Sequence, residues 1–256
     1  MQDLTRRQRE ILDLARQRGF VAIDLLAAHF DVTTQTIRRD INGLCERTLL
    51  HRFHGGAGLP SSTENVAYTE RQVMALAEKT AIAREVARHI PNRASLFINV
   101  GTTTEAVASA LSHHHELRVI TNNLNVANIL GGNPHVEVIV AGGLVRSRDK
   151  AIVGEAAVDF ISQFKVDIAI IGISGIDLDG SLLDYDFREV RVAQAIIRNS
   201  RSVYLAADHS KFGRSAMVRL GHLREIDMLF TDRTPPPEML PVLREAEVVV
   251  CTPNEP

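Results

Sequence analysis

A chain of 256 residues that is 45% hydrophobic and 23% charged, with a formal net charge of −2, has material for a sizeable core and for more than one domain. No run approaches the roughly 18 consecutive apolar residues that a membrane span needs, and the charged start "MQDLTRRQREILDL" has no apolar signal core, so a cytoplasmic protein is expected. Cys45 and Cys251 fit no metal or redox spacing and read as reduced thiols, while the charge is uneven, with 9 arginines against 7 acidic residues up to position 60.

The first 57 residues read as three helices and a hairpin. "LTRRQREILDLARQRG" carries Ile11, Leu14 and Ala15 at helical spacing, with Gly19 as its C-cap. "VAIDLLAAHF" sets Ile23, Leu26, Ala27 and Phe30 on one apolar stripe. Only Asp31 to Thr33 separate it from the next helical pattern, the spacing of a helix-turn-helix. Thr33 suits the N-cap of that third helix. Ile37, Ile41 and Leu44 repeat on its inward side. Gln35, Arg39 and Asn42 then face outward, flanked by Thr36 and Arg38, with Thr34 at the start. Such a stripe pairs with base edges and phosphates; taken alone it also fits a solvated helix face, and Asp40 and Glu46 dilute its charge. "LLHRFHGGAGLP" alternates apolar and basic residues and turns at Gly55 and Gly56, which suits a wing carrying His51, Arg52 and His54. Glycine amides there can approach a phosphate closely.

Residues 58–77 mix Pro, Ser and polar residues without a clean period and read as a linker that turns helical near its end. From residue 78 to 256 helices and strands alternate. "EKTAIAREVARHI", "GTTTEAVASALS", "LNVANILGG", "EAAVDFISQF", "REVRVAQAIIRNS" and "PPEMLPVLREA" are helical. "SLFINV", "LRVITNN", "VEVIVAGG", "DIAIIGISGID", "SVYLAAD", "IDMLFTD" and "EVVVC" are strands. That alternation predicts an α/β domain with a parallel sheet covered on both faces, in which ligands bind beyond the carboxyl ends of the strands. Five predicted strand ends finish in small or polar residues: Gly101 with Thr102, Thr103 and Thr104; Thr121 with Asn122 and Asn123; Gly142 with Gly143; Asp177; and Asp208 with Lys211. Threonine, glycine and lysine at a helix start suit a phosphate, and asparagine and aspartate suit polyol hydroxyls. Arg146 and Arg148 are either a phosphate clamp or surface residues. Neither a dinucleotide nor a triphosphate fingerprint is present, and the "HHH" run at 113–115 has no metal-ligand spacing, so no cofactor and no metal are expected.

"TTQTIRRDINGL" followed by "HRFHGGA" resembles the signature of the DeoR family of bacterial sugar-metabolism repressors, a winged helix-turn-helix that binds double-stranded operator DNA. The rest of the chain resembles that family's effector domain, which is similar in fold to ribose-5-phosphate isomerase. A nearer likeness within the family runs through "FINVGTTTEAVASAL", "VITNNLNVAN", "AGGLVRSRD" and "DHSKFGRSAMV". It implies sn-glycerol 3-phosphate as effector, repression of glycerol and glycerol-phosphate genes, and a homotetramer; another phosphorylated sugar or polyol is the alternative. The isomerase likeness supplies a rival reading, in which Asp177, Glu189 and Lys211 surround a substrate and Glu189 is the counterpart of the base. "DYDFREV" departs from the enzyme's glycine-rich pattern, and a solvated helix residue is the plainer expectation for Glu189.

Overall fold

In the computed structural model, which describes residues 4–18, 20–47, 49–53, 55–58 and 65–253, the chain divides into two units, Met1–Met74 and Ala75–Pro256. The first contains α1 (Arg6–Arg18), β1 (Phe20–Ala22), α2 (Ile23–Phe30), α3 (Thr34–Glu46), β2 (His51–Phe53), β3 (Gly56–Gly58) and α4 (Tyr68–Val73). Thr5 and Gln8 close the start of α1 reciprocally, each backbone amide donating to the other's side-chain oxygen at 3.1 Å. The apolar stripes predicted from helical spacing meet in one core: Ile11 and Ala15 of α1, Leu26 and Ala27 of α2, and Ile37, Ile41 and Leu44 of α3. Asp31 ends α2 in the left-handed conformation (φ 51°), which a short acidic side chain tolerates, and this sharp corner lets α3 begin at once. One expectation changes here. Val21 and Ala22 belong to a strand rather than to the second helix, because β1 pairs with β3 and makes the wing three-stranded, in the order β1-β3-β2. Gly19, expected as a C-cap, lies outside the described residues.

The second unit contains α5 (Leu76–Arg88), β4 (Ser95–Ile98), α6 (Thr102–Ala110), β5 (Leu117–Thr121), α7 (Leu124–Leu130), β6 (Val136–Val140), β7 (Leu144–Val145), β8 (Ile152–Val153), α8 (Glu155–Ile161), β9 (Val166–Ile171), β10 (Gly175–Ile176), β11 (Ser181–Asp184), α9 (Phe187–Arg198), β12 (Ser200–Ala206), β13 (Val218–His222), β14 (Met228–Phe230), α10 (Leu240–Glu245) and β15 (Val249–Cys251). Seven strands form one parallel sheet in the order β15-β14-β12-β9-β4-β5-β6. Alternation along the strands divides the core in two. Leu96, Ile98, Ile168, Ile170 and Phe230 face α5 and α6, while Phe97, Ala169, Ile171, Val203 and Leu205 face α8 and α9. Among the described residues no helix is long and apolar enough to cross a membrane.

The strand order marks a candidate site. The chain runs outward from β4 through β5 to β6, then returns to the other side of β4 as β9 and continues outward to β15. Between β4 and β9 the order reverses, and the crevice beyond their carboxyl ends is the place where open α/β sheets bind ligands. The run 167–177, read as one strand, is two: β9 ends at Ile171, and β10 joins a separate antiparallel sheet, β10-β11-β13. Asp177 therefore does not end a strand of the parallel sheet; it opens an exposed hairpin turn in which the Gly180 amide donates to the Asp177 carbonyl at 2.9 Å.

Candidate functional site

In the first unit, Thr33 caps α3 as expected. Its hydroxyl accepts from the Thr36 amide (3.3 Å) and is bonded to the Thr36 hydroxyl (2.9 Å), so both threonines shape the start of the helix. Thr34 is the half-buried first helical residue, and Gln35, Arg38 and Arg39 are exposed on the side opposite Ile37 and Ile41. Asp40 does not dilute this face: it is buried, and its carboxylate accepts from Arg7 Nε of α1 at 2.5 Å. The wing meets the helix where Arg52 Nη1 donates to Asn42 Oδ1 at 2.8 Å, placing Arg52 beside the exposed stripe. Gly55 turns the hairpin at φ +81°, and its carbonyl accepts from the Ile23 amide at 2.8 Å. Gly56 has another reason to be glycine than the approach of a phosphate: it is buried, and a Cβ there would sit 2.2 Å from the Val21 carbonyl. His54 lies outside the described residues.

In the second unit, Gly101 takes φ +148° between β4 and α6, a conformation L side chains rarely adopt, and opens the helix without a side-chain cap. The first-turn amides of Thr102 and Thr103 thus face the crevice with the positive end of the helix dipole behind them. Thr104 has a different task. It is fully buried, and its hydroxyl lies 2.7 Å from the Asn99 carbonyl and 2.8 Å from that of Gly101, tying the turn together. The next strand end is equally built. The Thr121 hydroxyl donates to Ile98 O (2.7 Å) and accepts from the Asn123 amide (3.0 Å). Asn123 caps α7 and donates to Glu105 Oε1 at 3.1 Å, and Asn125 donates to the same oxygen at 3.0 Å. Asn122 donates to Ile152 O at 3.2 Å, but its Oδ1 is buried without a partner, as is the Oδ1 of Asn99 at the end of β4. Those two acceptors stand on adjacent strands, since Ile98 pairs with Thr121.

Arg146 is neither a surface residue nor an open clamp. Its guanidinium, with the side chain 10% exposed, donates to Asp149 (2.8 and 2.6 Å), to Asp186 (2.8 Å) and to Glu189. Gly142 and Gly143 lie exposed just before β7, and a Cβ on Gly143 would come within 3.1 Å of Ile152, so packing of the hairpin governs that position. Glu189 is held against Arg146, its side chain 15% exposed, rather than solvated. Burial pushes its carboxyl up to about 7, with Asp184 adding to the rise and Arg146 opposing it. Burial also raises Asp186, yet the hydrogen bonds from Arg188 and Arg146 outweigh it and leave that carboxyl at about 2. Three carboxylates on one buried guanidinium, with the charge of Asp184 also acting on Glu189, leave negative charge in excess, and Glu189 keeps the proton most readily. Asp184 in turn accepts from the Ser174 hydroxyl (3.0 Å), just beyond β9. A polar belt thus runs from Ser174 through Asp184, Glu189, Arg146 and Asp149 to Asn125, whose amide donates to Asp149 O at 3.1 Å.

Lys211 follows Asp208, which is 1% exposed just past the end of β12. Burial raises Asp208, yet Lys211, the Ser210 hydroxyl and amide, and Lys79 hold it below the usual carboxylate range. Asp177, Glu189 and Lys211 therefore stand in three settings: an exposed hairpin turn, a buried ion pair and a lysine beside a buried aspartate. A carboxylate pinned by arginine is not the free base that proton abstraction needs. Of the histidine run, His114 is an anchor, its Nε2 bonded to Ala87 O (3.1 Å) and Ile90 O (3.0 Å). Lys79, Asn99, Glu105 and Asp149 are buried polar residues of this edge that sequence reasoning passed over. Each sits inside a helix or strand pattern or in a polar turn, where spacing gives no sign of burial.

Residues 7–63 match the DeoR-like helix-turn-helix domain, and residues 74–233 match the DeoR C terminal sensor domain. The glycerol-3-phosphate regulon repressor of Escherichia coli (strain K12) is 52% identical over 244 residues, covering 95% of this chain and 97% of that one. Its namesake in Haemophilus influenzae is 53% identical over 90% of this chain and 89% of its own length. The E. coli HTH-type transcriptional repressor CsqR is 42% identical over 97% of this chain and 95% of its own length. Among solved structures, ribose 5-phosphate isomerase A from Methanocaldococcus jannaschii aligns at a TM-score of 0.41 with 12% identity, over 54% of this chain and 55% of that one.

Proposed function

Because this chain belongs to the DeoR family of helix-turn-helix transcriptional repressors, we propose that it represses genes of glycerol and glycerol-3-phosphate metabolism and leaves its operator when it binds sn-glycerol 3-phosphate. The observation that carries this reading is identity above one half across both units to repressors named for that regulon. The protein works in the cytoplasm, without a cofactor, as a homotetramer. Several heads on one operator suit a fold in which a single short helix reads only a few base pairs.

On the DNA side, Gln35 reaches base edges, Arg38 and Arg39 anchor the helix on phosphates and base edges, and Arg52 holds a phosphate, with Thr33, Thr34 and Thr36 setting the start of α3 on the backbone. Arg52, bonded to Asn42, ties the wing to the reading helix, so the two enter the DNA as one body. Gly55 at the exposed turn is the wing's close approach to the backbone. On the effector side, the phosphate sits on the Gly101–Thr103 turn at the start of α6, in the crevice where the strand order reverses. The free Oδ1 atoms of Asn99 and Asn122 accept from the polyol hydroxyls. Thr104, Thr121 and Asn123 hold that frame, and Arg146 with Glu189 braces its outer wall.

To act, the ligand must bind the operator-free arrangement better than the operator-bound one. The test is an operator-shift titration with sn-glycerol 3-phosphate, other phosphorylated polyols and sugars, and unphosphorylated glycerol. Release by glycerol 3-phosphate at the lowest concentration is expected, and release by a different phosphorylated sugar at lower concentration assigns that sugar instead.

A further inference from the structure

The ribbon of β7 and β8 stands on Asn122. The Asn122 carbonyl accepts from the Ile152 amide at 2.7 Å, and its side-chain amide donates to the Ile152 carbonyl at 3.2 Å. The other atom of that side chain, Oδ1, is buried without a partner. Arg146 holds the ribbon at its other end. Its backbone amide donates to Ala151 O at 2.7 Å, and its guanidinium reaches Asp186 at the start of α9 at 2.8 Å.

These bonds leave one edge open. Ile152 gives both of its backbone groups to Asn122, and Arg146 is bonded to Ala151. Antiparallel alternation therefore turns the N–H and C=O of Val145, which stands opposite Ile152, away from β8. Among the described residues β7 has no second neighbouring strand. Successive side chains of a strand point to opposite faces, and one face is ordinarily covered by the chain's own core. Here neither is: Leu144 is 61% exposed and Val145 45%. The Arg146–Asp186 bond brings this edge up to Phe187, the first residue of α9, which is 62% exposed. An apolar edge with outward backbone donors and acceptors is a template for another strand.

The edge is complementary to itself. Two copies related by a twofold axis at Val145 pair antiparallel, and each Val145 amide donates to the Val145 carbonyl of the other copy, so one residue satisfies both. The charges of the same face suit that axis as well. Arg191, one turn along α9 from Phe187, pairs with Glu155 of α8 at 2.9 Å, and both are exposed. A second copy brings the same two signs and sets each against its opposite, whereas a partner of a single charge meets one of them with the like sign.

We propose that the open edge of β7, with Leu144, Val145 and Phe187, is an interface with a second copy of this chain, and that the effector acts on it through Asn122, which holds the ribbon with one side-chain atom and offers the other to the ligand. The direction rests on the proposed function: the ligand favours the operator-free arrangement, and two heads on one operator require paired copies, so occupancy loosens the edge.

Sedimentation of the full-length chain reads association between copies without ligand, with sn-glycerol 3-phosphate and with glycerol. Leu144→Glu and Phe187→Glu each place a charge in the paired edge and should weaken association at least about tenfold, with melting temperatures unchanged because both side chains are exposed. Association as tight as that of the unmodified chain, or an unmodified chain that stays monomeric, overturns the interface. Val145→Cys is a second measure that needs no added charge. Opposed residues of a hydrogen-bonded antiparallel pair stand about 5.5 Å apart, within disulfide reach, so mild oxidation should cross-link two copies. Cross-linking no greater than that of the unmodified chain, with its Cys45 and Cys251, contradicts the twofold. Saturating glycerol 3-phosphate should weaken association of the unmodified chain about tenfold, and glycerol should leave it unchanged. Constant association in protein that calorimetry shows to be loaded with glycerol 3-phosphate overturns the link through Asn122. Protein that binds no glycerol 3-phosphate fails the effector reading instead, and the ligand-free arms still decide the interface.

Discussion

Arg39 is the exposed cation at the centre of the outward face of α3, so Arg39→Ala should weaken operator binding by about 1–3 kcal/mol and reduce the salt slope by about one phosphate equivalent, with effector binding unaffected. Titrations of operator at several salt concentrations check both. Glu189 makes a different kind of prediction. Its carboxyl moves from an ordinary 4.5 in the unfolded chain up to about 7 in the fold, so the folded state holds that proton more tightly. Its contribution to stability is complete below the unfolded value and is lost as pH rises through 7. Glu189→Gln is neutral at every pH, and Arg146 keeps Asp149 and Asp186. The variant should therefore gain on the unmodified chain between pH 5 and pH 8 by on the order of 1–3 kcal/mol. Urea unfolding at the two pH values measures it, and a difference that does not change with pH contradicts the assignment. At this scale Thr33, Ile37, Ile41 and Leu44 are legible in the sequence, because caps and helical spacing act within a dozen residues. The burial of Lys79, Asp149 and Glu189 is not, because it depends on charges brought in from distant strands and helices.

At the scale of elements, the wing and the α6 turn carry the sharpest consequences. Gly56→Ala drives a Cβ into the Val21 carbonyl and the Phe20 ring, and should destabilise the first unit by about 2–3 kcal/mol and weaken operator binding with it. Gly55→Ala meets no atom and costs only the backbone strain of φ +81°, roughly 1 kcal/mol. Melting the two variants side by side separates packing from conformation. In the α6 turn, Thr104→Val removes a buried hydroxyl that bonds two carbonyls and should lower stability by about 1–3 kcal/mol. Thr103→Ala should leave folding intact and impair the response to effector. Most helices and strands of the parallel sheet can be read from periodicity alone. The exceptions are instructive. "VAIDLL" hides β1 because Val21 is apolar in either period, and only pairing with β3 makes it a strand. The run 167–177 hides a change of sheet because both of its halves are apolar, and β11 and β13, which draw the second half away, have no strong pattern of their own.

For the whole molecule, the reversal of strand order between β4 and β9 gathers glycine, threonine and asparagine from strand ends that are far apart in the chain. Sequence reading finds those residues as separate turns; only the topology says that Gly101–Thr103, Asn99 and Asn122 share an edge and that Asp177 does not. The DNA-binding function was visible earlier, because its signal is local to α3 and the wing. The account as a whole joins that reading helix to a phosphate-recognising edge in one chain. Its most direct test is a fluorescence titration of operator-bound protein with sn-glycerol 3-phosphate, run against glycerol and inorganic phosphate. The account predicts full release by the phosphate ester and none by glycerol at the same concentration. An operator affinity that stays constant through saturating glycerol 3-phosphate contradicts it.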